Sequence, residues 1–129
     1  MLVADASVLV RAAVGIGELG AATRRRLADE DIAVPDFARV EVLSALRKLV
    51  LRGELGADRA EVAVRDLADL DLDVFPTGLA IGRAWELRAN VTPYDACYVA
   101  LAEALDVVLL TVDDRLAAAP GPRCTFEIL

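Results

Sequence analysis

Histidine is absent from the 129 residues. With it go the imidazole general base, the commonest zinc ligand and every Ser-His or Cys-His nucleophile, so any catalysis must rest on carboxylates. Cysteine is scarce: Cys97 and Cys124 are too few for a disulfide framework, and neither stands in a CxxC pair. Both are read as small buried side chains. Long apolar runs are missing too, although 57% of the chain is hydrophobic, because Asp, Glu or Arg breaks every run before the roughly 18 to 20 residues that span a bilayer. The first ten residues carry Asp5 and lack the basic start and small-residue cleavage site of an export signal. The expectation is a soluble cytoplasmic chain with no membrane partner. The formal charge of −7 has the wrong sign for a protein that coats nucleic acid. It leaves room for an enzyme whose bound cations offset an acidic cluster, or for a basic protein partner.

The chain has the length of one ordinary domain, and a single domain over residues 1–129 is expected. Short β-favouring runs alternate with stretches of helical periodicity. That alternation predicts an α/β fold, a three-layer α/β/α sandwich around a mostly parallel five-stranded sheet. The candidate strands are Leu2 to Asp5, Ile32 to Pro35, Leu72 to Pro76, Val107 to Val112 and Cys124 to Leu129. Phe37 to Leu51 reads as an amphipathic helix, with Val40, Leu43, Leu46 and Val50 as its apolar stripe, Asp36 as its N-cap and Gly53 at its stop. Ala57 to Leu70 and Leu79 to Ala89 read as two further helices. In Thr92-Pro93-Tyr94-Asp95 a capping hydroxyl, a proline at the first helical position and an acid at the third set a helix start that runs on to Leu105.

In an open parallel sheet the functional crevice lies beyond the carboxyl ends of the strands. Asp5 ends the first candidate strand and Asp113 follows the fourth, so both belong to that rim. Asp95 joins them if its helix starts there. Glu41 sits among Phe37, Val40, Val42 and Leu43, where an acid is costly without a partner. Converging carboxylates repel one another unless divalent ions neutralise them. All-oxygen ligation suits Mg²⁺ or Mn²⁺, one or two ions, which also bind phosphate oxygens. The chemistry that follows is phosphodiester hydrolysis.

Val3 to Val10, Pro35 to Val42 with Ala45-Leu46-Arg47, Tyr94-Asp95-Ala96 leading into Tyr98 to Ala102, and Leu110-Thr111-Val112-Asp113 together resemble the PIN-domain VapC toxins, the ribonuclease half of type II toxin–antitoxin pairs. The resemblance runs in order across nearly the whole chain. It implies that Asp5, Glu41, Asp95 and Asp113 form the acidic metal site, with Ser7 and Thr111 as supporting hydroxyls and Asp114 as a substitute or assistant for Asp113. It further implies a homodimer, a VapB-like antitoxin whose C-terminal segment blocks the site, and structured RNA such as transfer or ribosomal RNA as substrate. One departure is Ser44, where an Asn is common in relatives; it leaves the four acids intact and bears on a hydrogen bond behind them.

Each acid alone has a plainer reading: Asp5 as N-cap of a helix from Ala6, Asp95 as a cap-box acid, Asp113 as N-cap of Arg115 to Ala118. Capping does not explain why they should share one rim. Gly15-Ile16-Gly17-Glu18-Leu19-Gly20 fits the dinucleotide-binding pattern, but Val8 to Val14 would have to be its strand, with Arg11 in mid-run. The competing reading is a glycine-rich turn between two helices. Arg11, Arg39 and Arg115 are candidate RNA contacts, and Arg24-Arg25-Arg26 reads either as an RNA-binding edge or, more plainly, as a solvated helix face. Trp85, Tyr94 and Tyr98 are stacking or dimer candidates, although aromatics at helical spacing are more often core. A receiver-type phosphoacceptor lacks its late lysine, because Lys48 is the only one; a haloacid-dehalogenase-like phosphatase lacks its second acid, because position 7 is Ser. The remaining alternative is a PIN-fold RNA-binding or interaction module without catalysis.

Overall fold

The computed structural model describes all 129 residues. Five strands, β1 (Leu2–Ala4), β2 (Ile32–Pro35), β3 (Asp73–Phe75), β4 (Leu109–Thr111) and β5 (Phe126–Ile128), form one sheet in the order β3-β2-β1-β4-β5. Every neighbouring pair is parallel. The three central strands are buried along nearly their whole length, as expected of a parallel sheet covered on both faces.

Helices α1 (Ala6–Val14), α2 (Gly17–Leu27), α3 (Ala38–Leu51) and α4 (Ala57–Asp69) lie in the β1-to-β3 half of the chain, and α1 packs on the other three. Helices α5 (Ile81–Glu86) and α6 (Pro93–Leu105) pack on each other, α6 also on β1, β2 and β4, and α7 (Asp114–Ala118) links β4 to β5. With right-handed crossovers, β1→β2→β3 puts α1 to α4 on one face, and the return from β3 to β4 puts α5 and α6 on the other. The three-layer sandwich is confirmed.

The largest core contribution comes from α6, where Ala96 through Ala102 are all buried. Removing a large aliphatic side chain from water, as at Val99 and Leu101, stabilises by roughly 1.5–3 kcal/mol. Thr92 caps α6 as its sequence predicts, its Oγ1 accepting from the Asp95 amide at 3.3 Å. Gly53, at φ +72°, ends α3.

Several local expectations need correction. Asp36 does not cap α3; Phe37 holds that position, and the Asp36 carboxylate instead accepts from the Thr77 hydroxyl. The apolar stripe of α3 is rotated: Ala38, Val42 and Leu46 face inward, whereas Val40 and Leu43 are exposed. The helix expected over Leu79 to Ala89 shortens to α5, preceded by a single 3-10 turn at Thr77–Leu79. Tyr94 and Trp85 are surface residues and only Tyr98 is core. Cys97 is buried but Cys124 is only partly so.

The glycine-rich segment joins α1 to α2 and follows no strand. A Cβ on Gly20 would collide with the Gly15 carbonyl oxygen, so these glycines let two helices meet closely. The dinucleotide reading fails there. Arg26 is not a solvated residue either: it pairs with Glu30 at 2.7 Å and reaches across to Glu127, also at 2.7 Å. No single helix is long and apolar enough to cross a membrane.

Candidate active site

The strand order reverses direction between β1 and β4, and at such a switch point the loops leaving adjacent strands part and open a crevice. Asp5 leaves β1 and Asp113 leaves β4, one on each side of it. A helix that feeds a parallel strand runs against it, which brings the N-terminus of α6, with Asp95 in its first turn, to the same rim. The N-terminus of α3 follows β2 and brings Glu41 there.

Asp5 is buried, at 5% exposure, and both its oxygens accept hydrogen bonds, with one lone-pair site of Oδ2 left over. Oδ1 accepts from the Ser7 hydroxyl and from the Val8 amide at 3.0 Å, and Oδ2 accepts from Thr111 Oγ1 at 2.5 Å. Each hydroxyl is held in turn from behind: Ser7 Oγ accepts from the Val112 amide at 3.3 Å, and Thr111 Oγ1 from the Asp113 amide at 3.0 Å. Two hydroxyl relays thus tie β1 to the loop after β4. Asp5 also caps α1, so the plain reading of this residue and the functional one are compatible.

Glu41 and Asp95 are half-buried. Burial raises the Glu41 carboxyl above its ordinary value; the Tyr98 hydroxyl, donating to Oε1 at 3.2 Å, opposes this, and the charges of Asp95 and Asp5 push it higher. Asp95 is raised first by burial and then by the charges of Asp5 and Asp113, with the Thr92 hydroxyl acting against them. Burial and the Glu41 charge raise Tyr98 far above the ordinary phenol range, which keeps it a donor. No arginine or lysine forms an ion pair with Asp5, Glu41, Asp95 or Asp113.

Asp113 accepts from the Arg115 and Leu116 amides through Oδ1 alone, at 2.8 and 3.4 Å, and so caps α7 while Oδ2 stays free. Its charge reaches Asp95. Asp114 is exposed in the first turn of α7.

The donor set is all oxygen and carries excess negative charge, which suits a hard divalent cation. No three of these acids stand close enough to share one ion as the side chains lie. Mg²⁺ needs no such cage, since it keeps several waters and takes one or two carboxylates. The residues present fit such an ion.

The raised carboxyls have a thermodynamic consequence. Both bind protons more readily in the folded chain than in the unfolded one, so their contribution to stability is complete below the ordinary carboxylate range and is lost as pH rises through their raised values. In chelator, lowering pH from about 7 toward the ordinary range near 4 is expected to stabilise wild type relative to a Glu41→Gln/Asp95→Asn variant, as read by differential scanning. Parallel curves for the two proteins would contradict it.

Of the candidate RNA contacts, Arg11 donates to the Leu129 carbonyl at 2.6 Å, and Arg39 to the carbonyls of Leu67 and Leu70 at 3.2 and 2.7 Å. Both guanidiniums hold the fold together; Arg115 is exposed. Tyr98 is the site residue that sequence reasoning leaves in the core. Its signal is the spacing of three from Asp95 along one helix, which places both on one face. A cavity of about 710 Å³ between α1, α2 and α4 is lined by none of the four acids; chemistry rather than volume singles out the rim.

The family model for the PIN domain matches residues 2–122. Ribonuclease VapC1 of Mycobacterium tuberculosis is 42% identical over 128 residues, 98% of this chain and 96% of that protein. Two solved structures share the fold: Mycobacterium tuberculosis VapC20, described as a Sarcin-Ricin loop cleaving toxin, has a TM-score of 0.67 at 16% identity over 92% of this chain and 94% of that one. VapBC2 from Rickettsia felis, bound to a DNA fragment from its promoter, has a TM-score of 0.64 at 16% identity over 99% and 98%.

Proposed function

The chain belongs to the PIN-domain family, and from that premise we propose that it is a Mg²⁺- or Mn²⁺-dependent endoribonuclease, the toxin of a toxin–antitoxin pair. The observation that carries the reading is the unpaired, half-buried acid rim at the switch point: Glu41 and Asp95 sit beside Asp5 and Asp113, and no protein cation answers them. Asp5, Glu41, Asp95 and Asp113 would hold the metal, one or two of them directly and the others through its bound waters. A bound divalent cation supplies positive charge for a substrate phosphate and acidifies a water.

The chain's own residues do the positioning. Ser7 and Thr111 fix the Asp5 carboxylate so that it cannot rotate away, and the capped α7 fixes Asp113. Tyr98 holds Glu41 by one oxygen and leaves the other free to face the rim. Thr92 starts α6 so that Asp95 stands on a rigid helix rather than a loop. Such fixed carboxylates bind without reorganising, which is what electrostatic catalysis needs. The substrate class is structured RNA, transfer or ribosomal. The partner is a VapB-like antitoxin, and the working form is a homodimer of single-domain chains in the cytoplasm.

The purified chain is expected to cleave RNA in Mg²⁺ or Mn²⁺, and its expression without the antitoxin to arrest growth of a host cell. Intact RNA after incubation with folded protein and millimolar cation, together with normal growth at high soluble expression, would sink the proposal and favour a non-catalytic binding module.

A further inference from the structure

Next to the rim lies a trough that the acids do not account for. Val40 and Leu43 on α3 are 67% and 41% exposed, and Tyr94 is 61% exposed. A cavity of about 400 Å³ is bounded by Phe37, Val40, Glu41, Ser44, Lys48 and Tyr94. Phe37, Glu41, Ser44 and Lys48 follow one another at spacings of four, three and four, a single helix face. The trough therefore starts at the Glu41 carboxylate and runs out along α3 to Lys48, about 10 Å away at the helical rise.

Tyr94 is braced from the core. Its ring meets Phe37 edge-on at 5.5 Å and 84°, and Phe37 meets the fully buried Tyr98 at 5.7 Å and 85°. A rigid aromatic ring is thus held beside the acids with most of its surface open. Charge points the same way. Most cations of this acidic chain are used internally: Arg26, Arg83 and Arg123 on acids, Arg11, Arg39 and Arg59 on backbone carbonyls. Arg47, Lys48, Arg52 and Arg115 have no side-chain partner within the chain, and the first three lie at the C-terminal end of α3, Arg52 as its C-cap. A largely exposed aromatic ring and an unneutralised cation at the end of an acid rim match a base and a phosphate.

We infer that this trough seats an unpaired nucleotide of the RNA strand next to the cleaved phosphate, its base stacked on Tyr94 and its following phosphate met by Lys48. The inference rests on the ribonuclease reading and deepens it. A base can stack there only when it is out of a duplex, so the cut falls in a loop or other single-stranded stretch. Because every base offers a π-face, the trough selects for strand state more than for sequence.

The test uses the Asp95→Asn chain, whose slowed cleavage leaves RNA intact over the minutes of a binding measurement, and fluorescence anisotropy with a labelled single-stranded oligoribonucleotide in Mg²⁺. Adding Tyr94→Ala is expected to weaken binding by between about fivefold and a hundredfold, while Tyr94→Trp retains it. An abasic oligonucleotide is expected to bind weakly, and with the same affinity whether or not the chain carries Tyr94→Ala. Lys48→Ala is expected to lower the slope of log affinity against log salt by about 0.7, and Lys48→Arg to preserve it. Affinity indifferent to Tyr94 and Lys48 in a chain that cleaves RNA overturns the trough alone. So does a Tyr94→Ala chain that turns from dimer to monomer in sedimentation with RNA affinity unchanged, since a second copy would then cover this face. A chain that neither cleaves nor binds RNA overturns the ribonuclease reading and the trough together.

Discussion

Asn in place of Asp95 is expected to slow RNA cleavage by on the order of 10²- to 10³-fold or more, the scale on which a fixed electrostatic contact acts in catalysis, while the fold survives. The amide has the size of the carboxylate and starts the same helix, so Thr92 and Pro93 keep α6 in place. What disappears is one negative charge from a group that burial and the charges of Asp5 and Asp113 already disfavour. The variant should therefore be at least as stable as wild type in chelator, a trade of stability for function that active sites commonly make. Cleavage kinetics and thermal melting of the same preparation read both effects. Asp114→Asn serves as the contrast: exposed in the first turn of α7, Asp114 should tolerate the change within a few-fold. Equal losses at 95 and 114, or a melted Asp95→Asn protein, would point to a structural cause.

Stripping divalent cations is expected to stop cleavage altogether, and restoring Mg²⁺ to recover it. The same addition should raise the melting temperature, because an ion that binds only the folded chain stabilises it by about 2.7 kcal/mol at a hundredfold excess over its dissociation constant. For a chain of this length that is a rise of about 10 °C. The rise should shrink in Glu41→Gln and Asp113→Asn. Cleavage that persists in chelator would remove the cation from the account.

The places of the candidate rim acids are legible in the sequence because strand ends are legible. A β-favouring run that stops at Asp5, and another that stops before Asp113, put two carboxylates on one edge of any parallel sheet. The Thr-Pro-Tyr-Asp start did the same for Asp95, since a capped helix end carries its own address. Long-range contacts left no local trace: nothing near Asp36 announces Thr77, and nothing near Arg26 announces Glu127, 101 residues away. The inner face of α3 was mistaken because two stripes overlap there. Val40, Leu43, Leu46 and Val50 have the larger side chains, but small Ala38 with Val42 and Leu46 fits the close approach to the core. The phase that buries Ala38, Val42 and Leu46 is what exposes Val40 beside Glu41. Tyr98 was hidden by its own chemistry, being at once a core ring and a donor to Glu41.

The most direct measurement is a calorimetric titration of the metal-free chain with Mn²⁺, repeated on the Asp95→Asn/Asp113→Asn protein. Saturable uptake of one or two ions by wild type at or below millimolar concentration, lost in the doubly substituted chain, is the predicted result. No uptake by folded wild type, or the same uptake by both proteins, would contradict a cation site built from these four carboxylates.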